Sequence, residues 1–168
     1  MSLFESIKAG DRDAVCEALD ADPDLAGERD ENGLSPVLAA LYNGQSDLVD
    51  PILDANPPLD VFDSAAVGRT RGLEELLEAE PALVSAWSPD GFTALHLAAF
   101  FGQEDAAKLL LERGADPRVV SRQREIQVAP VQSAAAGGHD AIVRLLLDAG
   151  AELDDIEPEL RDRYADDA

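Results

Sequence analysis

Apolar positions along this 168-residue chain arrive in recurring blocks rather than at even density. Paired alanines stand at Ala39-Ala40, Ala65-Ala66, Ala98-Ala99 and Ala134-Ala135, and leucine clusters at Leu76-Leu77, Leu109 to Leu111 and Leu145 to Leu147. Alanines let neighbouring helices stack closely, and the leucines give each block an apolar face to bury against the next. Sliding the sequence by 58 positions superimposes Phe4 on Phe62, Gly10 on Gly68, Leu19 on Leu77, Pro23 on Pro81 and Gly33 on Gly91. A slide of 36 lays Gly102 on Gly138, Leu109 to Leu111 on Leu145 to Leu147, and Gly114 on Gly150. Self-similarity of this kind marks a repeat architecture. It predicts five helix pairs whose first helices end at Gly10, Gly44, Gly68, Gly102 and Gly138, spaced 34, 24, 34 and 36 residues apart.

Local signals agree. Ser35-Pro36 puts a capping hydroxyl before a proline at the first helical position, and Thr93 is expected to cap in the same way. Gly102 and Gly114 are expected to end their helices in the left-handed conformation, with Asn56 standing in for glycine in the second pair. Pro51 falls inside the stretch 46–55, where a second helix is due. Proline costs roughly 3 kcal/mol in a helix interior but little in the first turn, so this helix must start late or bend.

From Ser88 to Pro117 the chain reads SPDGFTALHLAAFFGQEDAAKLLLERGADP. That stretch resembles one full ankyrin repeat: the G-F-T-A-L-H-L-A-A start, the break at Gly102, a leucine-rich second helix and a terminal G-A-D. The resemblance covers roughly residues 3 to 154 and implies an all-α ankyrin-repeat solenoid of stacked helix pairs with short β-hairpin fingers. Units fall at about 1–29, 30–58, 59–87, 88–120 and 121–154, followed by an acidic C-terminal cap or tail over 155–168. The second, third and fifth units depart from the pattern. Between Asn56 and Phe62 there is only PPLDV, too short for a finger, so the third helix pair should follow the second directly. The long interval through Arg118 to Val128 should be an enlarged finger.

A chain of this length fits one domain, here an elongated one. MSLFESIKAGD lacks the apolar segment of a signal peptide, and no run approaches a membrane span. The single cysteine, Cys16, excludes an internal disulfide and suits a reducing, cytoplasmic setting. It takes the place that Lys108 and Arg144 hold in later units and should face solvent. Thirty-five acids against 13 bases leave a net charge of −22. Such a surface repels phosphate backbones and anionic membranes, so neither nucleic acid nor membrane is expected as a partner. Two origins compete for the acidity: adaptation to high salt, favoured because acids occur in every unit, or recognition of a basic partner. The tail's PELRDRYADDA should form a short capping helix that frays.

Catalysis is not expected. His96 stands in the ankyrin T-x-L-H position, which the resemblance makes an internal hydrogen-bonding post between units, and His139 follows Gly138 where the consensus also puts histidine. Carboxylate pairs such as Asp154-Asp155 and Glu74-Glu75 are the ordinary solvated face of so acidic a chain. No G-x-S-x-G, phosphate loop or H-E-x-x-H occurs. Neither an enzyme activity, a cofactor nor a metal is implied.

The resemblance places a protein partner on the concave side, against finger tips and first-helix ends. In the fourth unit these positions are Trp87, Ser88, Pro89, Asp90, Phe92, Phe100 and Phe101. In the second they are Arg29, Glu31, Asn32, Leu34, Tyr42 and Asn43. Ala136 and Gly137 of the fifth are too small to grip. Five of the eight aromatic residues fall on this surface, namely Tyr42, Trp87, Phe92, Phe100 and Phe101; such a cluster is the usual mark of an interaction hot spot. Phe4 and Phe62 should be core, at the histidine position of the first and third units. Arg118, Arg122 and Arg124 make the enlarged finger a secondary basic site, able to hold an acidic segment of a partner or of the chain's own tail, or else an ordinary solvated loop. The expected function is therefore a non-catalytic protein–protein interaction module. The alternatives are a structural solenoid that self-associates and a small-ligand binder.

Overall fold

The computed structural model describes residues 1–165. These form five antiparallel helix pairs and a short terminal helix, and the chain divides into two compact units, residues 1–59 and residues 60 onward. The division falls within the PPLDV link, where a finger is missing.

In the first compact unit, α1 (Leu3–Ala9) starts at a reciprocal cap. The Ser2 hydroxyl accepts from the Glu5 N–H at 3.3 Å, and Glu5 Oε2 accepts from the Ser2 N–H at 2.7 Å. α2 (Arg12–Ala21) returns from Gly10 and runs into a 3₁₀ turn at Pro23–Gly27. α3 (Pro36–Tyr42) begins where Ser35 Oγ accepts from the Leu38 N–H at 3.0 Å, with Pro36 first in the helix. Its partner starts late. A 3₁₀ turn at Ser46–Leu48 leads into α4 (Val49–Asp54), so Pro51 sits in the first turn, where its missing N–H costs nothing. Asn56 ends the unit at φ +54°, the one non-glycine with positive φ among the described residues. Ile7, Val15, Val37, Leu48 and Ile52 are fully buried and form its core.

The second compact unit holds α5 (Val61–Ala66), α6 (Thr70–Ala79), α7 (Ala94–Phe100), α8 (Glu104–Glu112), α9 (Pro130–Ala136), α10 (Asp140–Asp148) and α11 (Pro158–Arg161). Buried Ala65, Ala98, Ala99, Ala134 and Ala135 bring α5, α7 and α9 together, and Leu73, Leu95, Leu110, Val131, Ile142 and Leu146 fill the space beneath. A second tie repeats. Gln103 Nε2 donates to the Ala66 carbonyl at 3.1 Å, and His139 Nε2 to the Phe100 carbonyl at 2.9 Å. In both cases the residue after one repeat's glycine satisfies the last carbonyl of the preceding first helix, which the helix itself leaves unpaired.

Four expectations need correction. The fingers are turns: no strand occurs among the described residues. Asp30–Leu34 and Ser88–Phe92 each close on two backbone hydrogen bonds, and Arg122 N–H donates to the Gly91 carbonyl at 2.8 Å between the fourth finger and the enlarged one. Phe4 and Phe62 are half-buried and second in their helices. The third position, which His96 holds in α7, belongs to Glu5, Leu38, Asp63 and Gln132 in the other first helices. Cys16 is half-buried, not turned to solvent. Finally, the C-terminal segment does not fray over its described part. Tyr164 is 1% exposed and donates to Asp140 Oδ1 at 2.5 Å, while Arg161 ties the carbonyls of Asp154 and Ile156, each at 3.0 Å. Residues 166–168 of that tail lie outside the described residues.

Exposed ion pairs such as Arg71–Glu75 and Arg113–Glu74 do little to offset a net charge of −22. Self-repulsion should therefore set the salt response. The melting temperature is expected to rise by about 5–10 °C between dilute buffer and molar sodium chloride as the repulsion is screened. A flat calorimetric series would show that the acids do not oppose folding.

Candidate functional site

Two aromatic residues of the second compact unit, Trp87 and Phe92, lie around His96, whose placement follows from the start of α7. Thr93 is extended and caps the helix, so the third helical residue turns back under the finger. His96 Nδ1 accepts from the Thr93 N–H at 3.2 Å and from its hydroxyl at 2.8 Å. Nε2 carries the proton and donates to the Val128 carbonyl at 2.9 Å. The ring is 1% exposed. Burial pushes its pKa below 6.5, against the opposing pull of the Val128 and Val119 carbonyls. It is a neutral strut between α7 and the enlarged finger.

Trp87 and Phe92 lie near this ring, with centroids at 6.5 and 5.8 Å. Both are half-buried. Between them the finger turn is closed by Ser88, whose hydroxyl accepts from the Phe92 N–H at 3.0 Å and donates to Asp90 Oδ1 at 2.5 Å. Arg122, from the enlarged finger, places its guanidinium 4.2 Å from the Trp87 ring centre, a cation–π distance. Trp87, Asp90, Phe92 and Arg122 are thus brought together, with the tryptophan partly covered.

Phe100 and Phe101 form a separate pair, edge to face with centroids 5.0 Å apart. Phe100 is 45% exposed and Phe101 half-buried. His139 holds the Phe100 carbonyl, and its ring fills the space over Gly102 and Gly137. In the first compact unit Tyr42 is 36% exposed, at the same last-helical position in α3 that Phe100 holds in α7. Asn43 is exposed but spends its amide on the Ala39 carbonyl at 2.7 Å, and Leu34 is half-buried behind the Asp30 turn.

The three arginines of the enlarged finger have different engagements. Arg118 pairs with Glu152, Arg122 stacks on Trp87, and Arg124 is exposed. Sequence reasoning missed the Arg122–Trp87 contact and the keystone of the loop, Ser121. It also missed Tyr164. The one legible signal among these was Ser121, a small polar residue set between apolar and basic neighbours.

Among the described residues no group of His, Cys, Asp or Glu is arranged to hold a metal. An open cleft of about 300 Å³ lies in the first compact unit, lined by Pro23, Asp24, Glu28, Asn56 and Pro58 and by none of the aromatic candidates. No helix among the described residues is long and apolar enough to cross a membrane.

The turn–helix–helix unit with its glycine-ended first helix defines a helical-repeat protein, and comparison gives the family. A family model described as ankyrin repeats (3 copies) matches residues 3–121 and 62–157. The chain belongs to the ankyrin repeat family. It is similar to the Notch-regulated ankyrin repeat-containing protein A of Danio rerio, 34% identical over 100 residues, covering 57% of this chain and 87% of that protein. A putative ankyrin repeat protein of fowlpox virus is 30% identical over 170 residues, covering 91% of this chain and 36% of its own length. A probable E3 ubiquitin-protein ligase of Oryza sativa is 39% identical over 95 residues, covering 56% of this chain. The chain spans only 21% of that ligase. Ankyrin repeats are generally protein–protein interaction modules, and the family is generally non-enzymatic.

Proposed function

We propose that the chain is a non-catalytic module that holds a protein partner through large aromatic side chains at its first-helix ends and finger turns. In the second compact unit these are Trp87, Phe92, Phe100 and Phe101, with Asp90 beside them, and in the first Tyr42, with Leu34 and Asn43. The observation that carries the reading is the exposure of Phe100, at 45%, on an edge-to-face pair with Phe101. Tyr42, 36% exposed, repeats the same position. A large ring left in water at the rim of a packed pair is the arrangement from which interface anchors are drawn. The ankyrin domain is read as residues 1–154 with a cap from 155, working in a reducing, cytoplasmic setting.

Phe100→Ala and Tyr42→Ala leave the core untouched, so both should keep the wild-type circular dichroism. Each should weaken a partner captured from source lysate about tenfold or more. A partner held equally by wild type and Phe100→Ala would move the docking surface elsewhere. Mass that grows with concentration, and shrinks in the Phe100 variant, would favour self-association instead.

A further inference from the structure

We infer that the enlarged finger, residues 118–128, is a docking arm for an extended acidic peptide segment carrying an apolar side chain. The inference rests on the chain being an interaction module and adds a second contact of different chemistry. Exposure alternates along the outgoing arm: Arg118, Val120, Arg122 and Arg124 are exposed, Val119 and Gln123 half-buried, and Ser121 buried. A period of two is that of an extended segment with one solvent face, and here that segment runs from Val119 to Gln123, between a turn at Arg118 and a bend at Arg124. That face reads basic, apolar, basic, basic. The return arm adds Ile126, and at 50% and 57% exposure Val120 and Ile126 are two of the five large hydrophobic residues exposed in the described chain.

The arm is built before any partner arrives. Ser121 donates its N–H to the Val128 carbonyl at 2.8 Å and its hydroxyl to the Ile126 carbonyl at 2.9 Å, and accepts from the Val128 N–H at 3.1 Å. On the other side Arg122 N–H reaches the Gly91 carbonyl at 2.8 Å. A segment fixed from both edges loses little freedom on binding, which lowers the cost of association. Isolated surface hydrophobics need no explanation, but two on one loop, beside three arginines, in a chain of net charge −22 form a local exception.

Charge complementarity names the occupant. Carboxylates on one face of an extended peptide can meet Arg118, Arg122 and Arg124, with an apolar side chain between the first two carboxylates against Val120. Arg118 already engages a carboxylate, that of Glu152, and keeps 57% of its side chain exposed. Glu152 is therefore an internal competitor for the same arm. Nucleic acid would also present anions to arginine, but a continuous phosphate backbone meets the full repulsion of the acidic surface, whereas a short peptide carries few charges against it.

The probe is a synthetic peptide, acetyl-Glu-Ser-Ile-Ser-Glu-Ser-Glu-amide, titrated into the full chain. Trp87 is the only tryptophan and lies under Arg122, so its fluorescence reports on the arm, with calorimetry as an independent readout. Saturable binding is expected. Arg124→Glu, and separately Val120→Ser with Ile126→Ser, should each weaken it about tenfold, and Glu152→Gln should tighten it about two- to threefold. Phe100→Ala should leave it unchanged, so loss of the aromatic surface and loss of the arm are read separately. The inference is overturned if the peptide fails to saturate at millimolar concentration, or if a lysine-for-glutamate peptide or single-stranded DNA binds equally well. It is overturned too if the finger variants bind like wild type, or if Phe100→Ala weakens the peptide as much as they do.

Discussion

His96→Ala should lower the unfolding free energy by about 3 kcal/mol, the cost of a buried cavity plus polar groups left without partners. The substitution removes the acceptor of the Thr93 N–H and the donor to the Val128 carbonyl. It also removes the ring between Trp87 and Phe92. Denaturant titration measures the loss, and a change under about 1 kcal/mol would mean the strut carries no more than an average surface residue. The wild type should show a pH signature of the same group. Burial holds the folded-state pKa below 6.5, so the unfolded chain takes up the proton first. The contribution is complete above pH 6.5 and is lost as pH falls through the lowered folded value. His96→Gln offers an amide donor without titrating and should flatten this part of the profile. If the profile is unchanged in His96→Gln, the pH response belongs to other groups.

Gly102→Ala should be the second large effect, at about 3 kcal/mol, with Gly138→Ala at only about 1–2 kcal/mol as its matched control. Both glycines end a first helix with almost the same left-handed φ, +74° and +73°. Backbone strain is therefore common to the two substitutions. They differ in their surroundings. A Cβ at position 102 would stand 2.6 Å from His139 Cε1, whereas at 138 no atom beyond the adjoining residues lies within 4 Å. The alanine at 102 must push the imidazole aside and break its bond to the Phe100 carbonyl. Equal melting temperatures for the two variants would show that the His139 ring yields freely and that strain alone matters.

What the sequence made legible was what the backbone decides within a few residues. The five glycines fell where first helices end, Asn56 took the left-handed conformation, and Pro51 forced a late start on α4. Each is a steric rule acting inside one turn. Register inside a helix was harder. Phe4 and Phe62 were correctly matched to each other but set one place too far along. Ser2 with Glu5 and Asp60 with Asp63 carried the capping pattern that would have fixed the count. Contacts between distant segments left no local trace. Nothing around Arg122 announces Trp87, thirty-five positions earlier, and nothing in the acidic tail announces a buried Tyr164. The same division runs through the candidate site. The exposure of Tyr42 and Phe100 follows from their shared place at a helix end, while Trp87, Phe92 and Phe101 are half-buried through contacts the repeat pattern does not specify.

The third residue of each first helix has a consequence for anyone who would recombine this array. Five backbones in matching positions carry Glu5, Leu38, Asp63, His96 and Gln132 there. His96 reaches out of its own repeat, toward Val128, at the far end of a loop found nowhere else in the chain. A copy of the fourth repeat spliced before a shorter finger would bring a buried imidazole with nothing to donate to. The repeats are alike in outline, yet the order in which they follow one another is encoded in the chain and is not free to be shuffled.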